Sequence, residues 1–182
     1  MTQAGNATVA VYTIGHSTRT IAEFGALLGE SHIEMVADVR AIPRSRTNPQ
    51  FNLEVLPVSL EKLAIGYQHF PELGGRRHHP RGAPPSANTF WHNESFRNYA
   101  DYAATDAFNV GFTRLRELAG GQRCAIMCSE AVWWRCHRRI ISDYLLAQGI
   151  PVMHIMARGK IDPATLTPNA HQESNGTLVY RA

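Results

Sequence analysis

Residues 123–154 constrain the fold of this chain most strongly, because they predict a strand, a polar turn, a helix and a second strand in succession. The first strand covers Cys124–Cys128 and is apolar on both faces, which is typical of a buried strand in a parallel sheet. Side chains alternate between the two faces of a strand. One face would therefore carry Cys124, Ile126 and Cys128, and the other would carry Ala125 and Met127. A polar turn at Ser129-Glu130 ends the pattern.

A helix is predicted after this turn. Side chains that pack on one helix face recur at the required spacing, namely Cys136 or His137, Ile140, Ile141, Tyr144 and Leu145. Gly149 and Pro151 end the helix, and a right-handed crossover then leads into a strand at 152–156. The polar turn therefore lies between the carboxyl end of a strand and the amino end of a helix, where open α/β sheets bind ligands.

The rest of the chain repeats this alternation of strands and helices. Three further strands are predicted at 9–14, 33–39 and 67–70. Helices are predicted after a capping box formed by Thr20 and Glu23, from near Pro57, and over 96–118 in two pieces that meet near Thr105. We therefore predict a single α/β domain over residues 1–182, with a mostly parallel sheet of about five strands and helices on both faces. The least regular parts are a loop at 76–92 and a tail at 157–182, with a possible edge strand near its end.

Composition narrows the class of protein. Apolar residues make up 44% of the chain and charged residues 18%, the net charge is +3, and no apolar run approaches the length of a membrane span. With no signal peptide evident, we expect a cytoplasmic protein without a membrane partner. The three cysteines all lie within 123–154, which favours reduced thiols or metal ligands over a disulfide framework.

Polar side chains cluster at the carboxyl ends of four predicted strands. The segments are Gly15-His16-Ser17, Asp38-Val39-Arg40, Leu73-Gly74-Gly75 and Cys128-Ser129-Glu130. Because the carboxyl ends of parallel strands meet at one edge of a sheet, we expect these segments to line one crevice.

The same segments resemble the bacterial and archaeal proteins grouped as domain-of-unknown-function family 488. The likeness runs from about Val11 to His154. The motifs that carry it, in chain order, are Thr13-Ile14-Gly15-His16-Ser17, Asp38-Val39-Arg40, Pro43-Arg44-Ser45-Arg46, Pro49-Gln50-Phe51, Leu73-Gly74-Gly75, Cys128-Ser129-Glu130 and Cys136-His137-Arg138. The resemblance implies that these polar residues occupy the family's motif positions in a shared site, and it brings no defined reaction or cofactor.

Three hypotheses fit the chemistry of this region. Cys128 could be a nucleophile, because backbone N–H groups and nearby arginines favour a thiolate at a strand-to-helix turn. Cys128, Cys136 and His137 could instead hold a metal, although neighbours on a helix point about 100° apart and the spacing is not a standard zinc pattern. The arginines could also bind a phosphate-bearing partner without covalent chemistry.

The leading prediction is an enzyme acting on an anionic, phosphate-containing or nucleotide-like substrate. Predicted catalytic residues are Cys128, His16, Asp38 and Glu130. Predicted substrate-binding residues are Ser17, Arg40, Arg44, Ser45, Arg46, Arg138, Gly74 and Gly75. The alternatives are a nucleic-acid-binding module that uses the same arginines and a Cys/His metal-binding protein. The sequence defines neither the substrate nor the oligomeric state.

Overall fold

A six-stranded sheet forms the centre of the molecule in the computed structural model, which describes residues 9–182. Its strands are β1 (Val11–Gly15), β2 (Met35–Asp38), β3 (Gly66–His69), β4 (Cys124–Cys128), β5 (Val152–Ala157) and β6 (Lys160–Pro163). Their order across the sheet is β3-β2-β4-β1-β5-β6, and only β6 runs antiparallel to its neighbour. The predicted α/β fold with a mostly parallel sheet is therefore confirmed.

The two faces of β4 bury separate cores. Cys124, Ile126 and Cys128 pack on one side with the helices of residues 94–121 and 138–147 and with the hairpin of residues 170–180. Ala125 and Met127 pack on the other side with the helices of residues 21–30 and 56–61. This is the division that alternation along the strand predicts. Burial on both faces explains why β4 is apolar throughout.

Within residues 9–182, five α-helices cover the two faces of the sheet: α1 (Ile21–Glu30), α2 (Leu56–Glu61), α3 (Glu94–Tyr102), α4 (Asp106–Gly121) and α5 (Arg138–Ala147). The capping box of Thr20 and Glu23 is present at the start of α1. The predicted break near Thr105 is also present, because the Thr105 hydroxyl accepts a hydrogen bond from the Phe108 N–H and caps α4.

The start of α5 differs from the prediction. Residues Trp133–Arg135 form a 3₁₀ turn, Cys136 is extended (φ −130°, ψ 149°), and the helix begins only at Arg138. His137 is the N-cap residue, and the Cys136 sulfur, one position before it, accepts a hydrogen bond from the Arg138 N–H (3.5 Å), which holds Cys136 outside the helix. The apolar residues from Ile140 onward recur at helical spacing even though Cys136 is not part of the helix.

The tail is more ordered than predicted. Lys160–Pro163 forms β6, and β7 (Ala170–Gln172) pairs with β8 (Leu178–Tyr180) in a separate two-stranded sheet. A possible edge strand was predicted near the end of the tail; β8 is a strand at this position, it pairs with β7, and its Leu178 and Tyr180 pack in the core beside α5. Among residues 9–182, no helix combines the length and hydrophobicity that a membrane crossing requires.

The strand order creates a switch point between β1 and β4. The chain leaves β1 through α1 toward β2, and it leaves β4 through α5 toward β5, so the two connections diverge over opposite faces. Gly15 pairs directly with Cys128 at the carboxyl ends of these strands. A crevice outside such a point is the usual ligand site of open α/β sheets.

Candidate functional site

A cavity of about 660 Å³ opens at this switch point, and its walls come from the segments that follow β1, β2, β3 and β4 together with α3. This volume lies in the range of small-molecule sites, about 300–1,000 Å³. The structure therefore brings together the strand ends that the sequence predicts to meet.

Two cysteines and a histidine converge on this cavity. The Nδ1 atom of His137 lies 3.6 Å from the Cys136 sulfur and 3.9 Å from the Cys128 sulfur. All three ligand-type atoms lie within 4.8 Å of one another, and within residues 9–182 this is the one place where three such side chains converge in this way. Both cysteines are buried, yet all three residues line the cavity. We call Cys128, Cys136 and His137 the thiol cluster.

The protonation of His137 follows from its second nitrogen. Nε2 lies 2.8 Å from the Val39 carbonyl oxygen, which can only accept a hydrogen bond, so the Nε2–H donates. A neutral ring then has no proton on Nδ1, and this lone pair faces the two sulfurs. Gly75 makes room for the ring, because a Cβ at that position would lie 2.9 Å from Nδ1.

Arg138 is a buried cation beside the thiol cluster. Its side chain is 1% exposed, and its Nε and backbone N–H groups donate to the Cys136 sulfur at 3.4 and 3.5 Å. Its other partners are neutral oxygens, the Glu130 carbonyl (2.6 Å) and the Thr13 hydroxyl (3.4 Å). No carboxylate among residues 9–182 forms an ion pair with it. A buried charge requires an opposite charge, and the Cys136 thiolate is the group in position to supply it.

The pKa values of the two thiols differ because Arg138 lies beside Cys136 and the two sulfurs lie close to each other. Burial opposes ionisation of Cys136, but the neighbouring Cys128 thiol and the charge of Arg138 outweigh it and lower the pKa of Cys136 to about 6. The neighbouring Cys136 sulfur, together with burial, raises the pKa of Cys128 to about 12. The first thiolate therefore forms on Cys136, next to the cysteine that the sequence favours as nucleophile.

A second polar group joins the ends of β1 and β2. Asp38 is fully buried and accepts hydrogen bonds from the Nε (2.9 Å) and Nη2 (2.6 Å) of Arg40 and from the Tyr67 hydroxyl (2.6 Å). Arg40 also donates to the Phe51 carbonyl (2.7 Å) and to Nε2 of His16 (3.2 Å). Four of the five guanidinium N–H groups are thus engaged, which leaves one Nη1 proton for the cavity.

His16 is held as a neutral ring in this group. Its Nδ1–H donates to the Ser17 carbonyl (2.8 Å), its Nε2 accepts from Arg40, and its ring stacks on Phe51 with centroids 4.2 Å apart. Burial, with the nearby charge of Arg40, lowers the pKa of His16 to about 4 despite the opposing hydrogen bond to Ser17. Both ring nitrogens are therefore occupied in this arrangement.

The predicted site residues fall into two groups. Those that line the cavity are Cys128, His16, Glu130, Ser17, Arg40, Arg44, Ser45 and Gly75. Those that do not line it are Asp38, Arg46, Arg138 and Gly74. Asp38 and Arg138 act on residues that do line it, Gly74 packs against Ala41, and Arg46 is exposed in the loop after β2.

Other residues of the cavity wall are Tyr99, Arg76, Arg135, Cys136 and His137. The sequence suggests Cys136 and His137 as possible metal ligands, and they begin the motif Cys136-His137-Arg138, but neither was among the predicted site residues. The one signal for Arg76 and Arg135 is that each lies in a group of closely spaced arginines, 76–81 and 135–139. Tyr99 lies in the middle of α3, and nothing in its local sequence distinguishes it from a core aromatic residue.

Tryptophan side chains can stack on nucleic-acid bases, but the three tryptophans of this chain have other surroundings. Trp91 is buried and stacks on Phe96, whereas Trp133 stacks on the buried His154. Only Trp134 is well exposed, at 45%. None of the three tryptophans lines the cavity, so they provide no base-stacking platform there.

The fold and the cavity define a class of protein: an α/β domain with a thiol- and arginine-lined crevice at the carboxyl edge of a parallel sheet. Residues 20–145 match the family described as Domain of unknown function DUF488, and because the match covers most of the chain, the protein belongs to this family. The resemblance seen in the sequence motifs is thus confirmed. No curated protein and no solved structure matches the chain.

Proposed function

We propose that the protein is a cytosolic enzyme that acts on a small anionic substrate, phosphate-containing or nucleotide-like, with the thiol cluster as its reactive centre. The observation that carries this proposal is the position of two cysteine sulfurs and a histidine nitrogen in a cavity that arginines surround. Such a combination of reactive and anion-binding groups in one pocket is typical of an active site.

The charge of the cavity wall supports an anionic substrate. Four arginines line it, Arg40, Arg44, Arg76 and Arg135, against a single carboxylate, Glu130. The guanidinium of Arg44 makes only a long contact with Glu54, 3.7 Å between exposed side chains. Guanidinium groups with free N–H donors bind phosphate and carboxylate oxygens in pairs.

The environment of Cys136 supports a reactive centre. A thiolate is both the nucleophilic and the metal-binding form of cysteine, and Arg138 stabilises that form here. In the proposed enzyme Glu130, which is exposed on the cavity wall, supplies acid/base chemistry. Asp38 and His16 act as positioning residues that fix Arg40.

Binding of inorganic phosphate tests the anion site. We expect calorimetry to detect phosphate binding by the wild-type protein, and Arg135→Gln and Arg76→Gln each to weaken it about tenfold or more, because a hydrogen bond to a charged group contributes about 1.5–3 kcal/mol. Arg116→Gln is the matched control, since this arginine is exposed on α4 away from the cavity. Equal affinity in all four proteins, or no binding by the wild type, would contradict the proposal.

Turnover tests the reactive centre. We expect a panel of phosphate-containing metabolites, followed by mass spectrometry, to include a compound that the wild type and Cys124→Ser consume and Cys136→Ser does not. The nucleic-acid alternative predicts a different pattern, in which long oligonucleotides bind tightly at low salt and lose affinity steeply as salt rises. That pattern without turnover of any small anion would replace the enzyme with a binding module.

A further inference from the structure

We propose that Cys128, Cys136 and His137 bind one thiophilic divalent metal ion such as Zn²⁺, with the fourth coordination position open to the cavity. Binding of the metal depends only on these three residues. Its participation in a reaction rests on the proposed function, because the open position would face the anionic substrate of that enzyme.

The distances within the thiol cluster suit tetrahedral coordination. Zinc binds sulfur at about 2.3 Å and histidine nitrogen at about 2.0–2.1 Å, so in a tetrahedral site a sulfur and a nitrogen lie about 3.6 Å apart. The His137 Nδ1 atom lies 3.6 and 3.9 Å from the two sulfurs, and all three atoms lie within 4.8 Å. The two sulfurs would lie about 3.8 Å apart in such a site, so an ion can enter the cluster once they approach each other by up to about 1 Å.

The orientation of His137 also suits coordination. The Nε2–H donates to the Val39 carbonyl, so the lone pair of Nδ1 is free and directed at the sulfurs. Metal-binding histidines almost always donate their other N–H to a carbonyl or carboxylate in this way, which fixes the ring and its tautomer. The sequence alone suggests the opposite, because neighbours on a helix diverge, but Cys136 is extended and lies outside α5.

The charges around the cluster balance in the metal-bound state. Two thiolates and a neutral histidine compensate a divalent ion, and the N–H groups of Arg138 donate to the Cys136 sulfur as an outer shell. Arg138 then leaves a net charge of about one positive unit on the cluster and its outer shell, which suits an anionic ligand at the open position. Two sulfurs and one nitrogen select zinc-like metals and disfavour Mg²⁺ and Ca²⁺, which require oxygen ligands.

The open position distinguishes this site from a purely structural one. Structural zinc sites have four protein ligands, whereas catalytic sites have three and leave one position for water or substrate. Within residues 9–182 only three such ligands converge, and all three line the cavity. The ion would thus contact whatever the cavity holds.

Cobalt titration of the reduced, chelator-treated full chain tests the site. We expect one Co²⁺ per chain, with thiolate-to-cobalt charge-transfer absorption and the strong visible bands of four-coordinate cobalt, both lost when Zn²⁺ is added. Cys128→Ser, Cys136→Ser and His137→Gln should each weaken binding at least about tenfold, since even outer-shell changes cost 10–100-fold. Cys124→Ser is the matched control, because this fully buried cysteine of β4 lies outside the cluster and should retain wild-type affinity.

Circular dichroism should show that each variant is folded, and Cys128→Ser is the decisive one because the Cys136 sulfur also accepts a hydrogen bond at the start of α5. No cobalt binding by the reduced wild type, wild-type affinity in folded Cys128→Ser, or equal loss in Cys124→Ser would overturn the metal site. Addition of inorganic phosphate to the cobalt-loaded protein then separates the two proposals. An unchanged spectrum would show that phosphate does not bind at the open position. This result would count against the proposed substrate class, whereas the metal site would stand.

Discussion

At the scale of single residues, Asp38 is the anchor of the second polar group. It accepts three hydrogen bonds from Arg40 and one from Tyr67, and it does so without contact with solvent. Its role in the structure is therefore to hold the Arg40 guanidinium beside the cavity. The sequence places Asp38 at the correct strand end but cannot distinguish a residue that faces the cavity from one that supports a neighbour.

Removing the charge of Asp38 should be costly. We expect Asp38→Asn to lower the free energy of unfolding by about 3–5 kcal/mol, because it leaves the Arg40 cation buried without an anion. The measurement is denaturant unfolding at neutral pH. Glu173→Gln is the control, since Glu173 and Arg181 form an exposed pair (2.7 Å) whose loss should cost less than about 1 kcal/mol. Similar losses in both variants would contradict the role assigned to Asp38.

At the scale of elements, the end of β1 must lie very close to the turn after β4. A Cβ on Gly15 would lie 1.8 Å from the Glu130 carbonyl oxygen, which is backbone and cannot rotate away. The same carbonyl accepts the hydrogen bond of Arg138. Gly15 therefore permits the contact between two strand ends on which the cavity depends.

We expect Gly15→Ala to destabilise the fold by at least about 1–3 kcal/mol, as overpacking of a buried site does. Gly29→Ala should do the reverse. This glycine lies in α1 with nothing near its missing Cβ, so alanine should add about 0.5–1 kcal/mol through helix propensity. Thermal unfolding of the two variants beside the wild type provides the measurement, and a neutral Gly15→Ala would show that the strand ends can separate.

Elements with a strong periodic signal could be predicted from the sequence, and the others could not. The apolar run of β4 and the capping box of α1 specify their structures locally. By contrast, β6 has the sequence Lys160-Ile161-Asp162-Pro163, which is mostly exposed and forms a strand only because β5 presents an edge to it. Secondary structure that depends on a distant partner leaves no local pattern.

Prediction of the site from the sequence is limited in the same way, because part of its arrangement depends on distant residues. Because parallel strands align their carboxyl ends, the sequence predicts which segments meet, and the cavity is where they do. It does not predict that Cys136 and His137 turn toward Cys128. That arrangement depends on the Val39 carbonyl and on the space beside Gly75, both far away in the chain.

At the scale of the whole molecule, a buried histidine couples stability to pH. His154 on β5 is 1% exposed, stacks on Trp133 and bonds through Nδ1 to the Thr13 hydroxyl (2.7 Å), while its Nε2 has no hydrogen-bond partner among the described residues. Burial and, secondarily, the charge of Arg138 lower its pKa from 6.5 to about 4. The ring is thus neutral in the folded protein, as expected of a core histidine.

This shift predicts acid destabilisation. Above pH 6.5 both folded and unfolded chains hold the ring neutral, so the stability is full there. Between pH 6.5 and 4 only the unfolded chain binds the proton, and at pH 5 the loss from this residue should be about 2 kcal/mol. We expect unfolding titrations at pH 7 and pH 5 to show a smaller difference for His154→Gln than for the wild type. The exposed His171→Gln should keep the wild-type difference, and an equal difference in all three proteins would contradict the assignment.

The position of β4 in the sheet has a consequence for how the protein is made. β1 and β2 do not touch, and the place between them is filled only by β4, whose partners lie near the start of the chain. The contact of His137 with Val39 spans 98 positions. During synthesis from the amino terminus, the early strands must therefore wait for a late segment before the sheet can close. A chain that ends before β4 and the thiol cluster has no assembled pocket, so the proposed anion and metal sites form only after these late segments have been made.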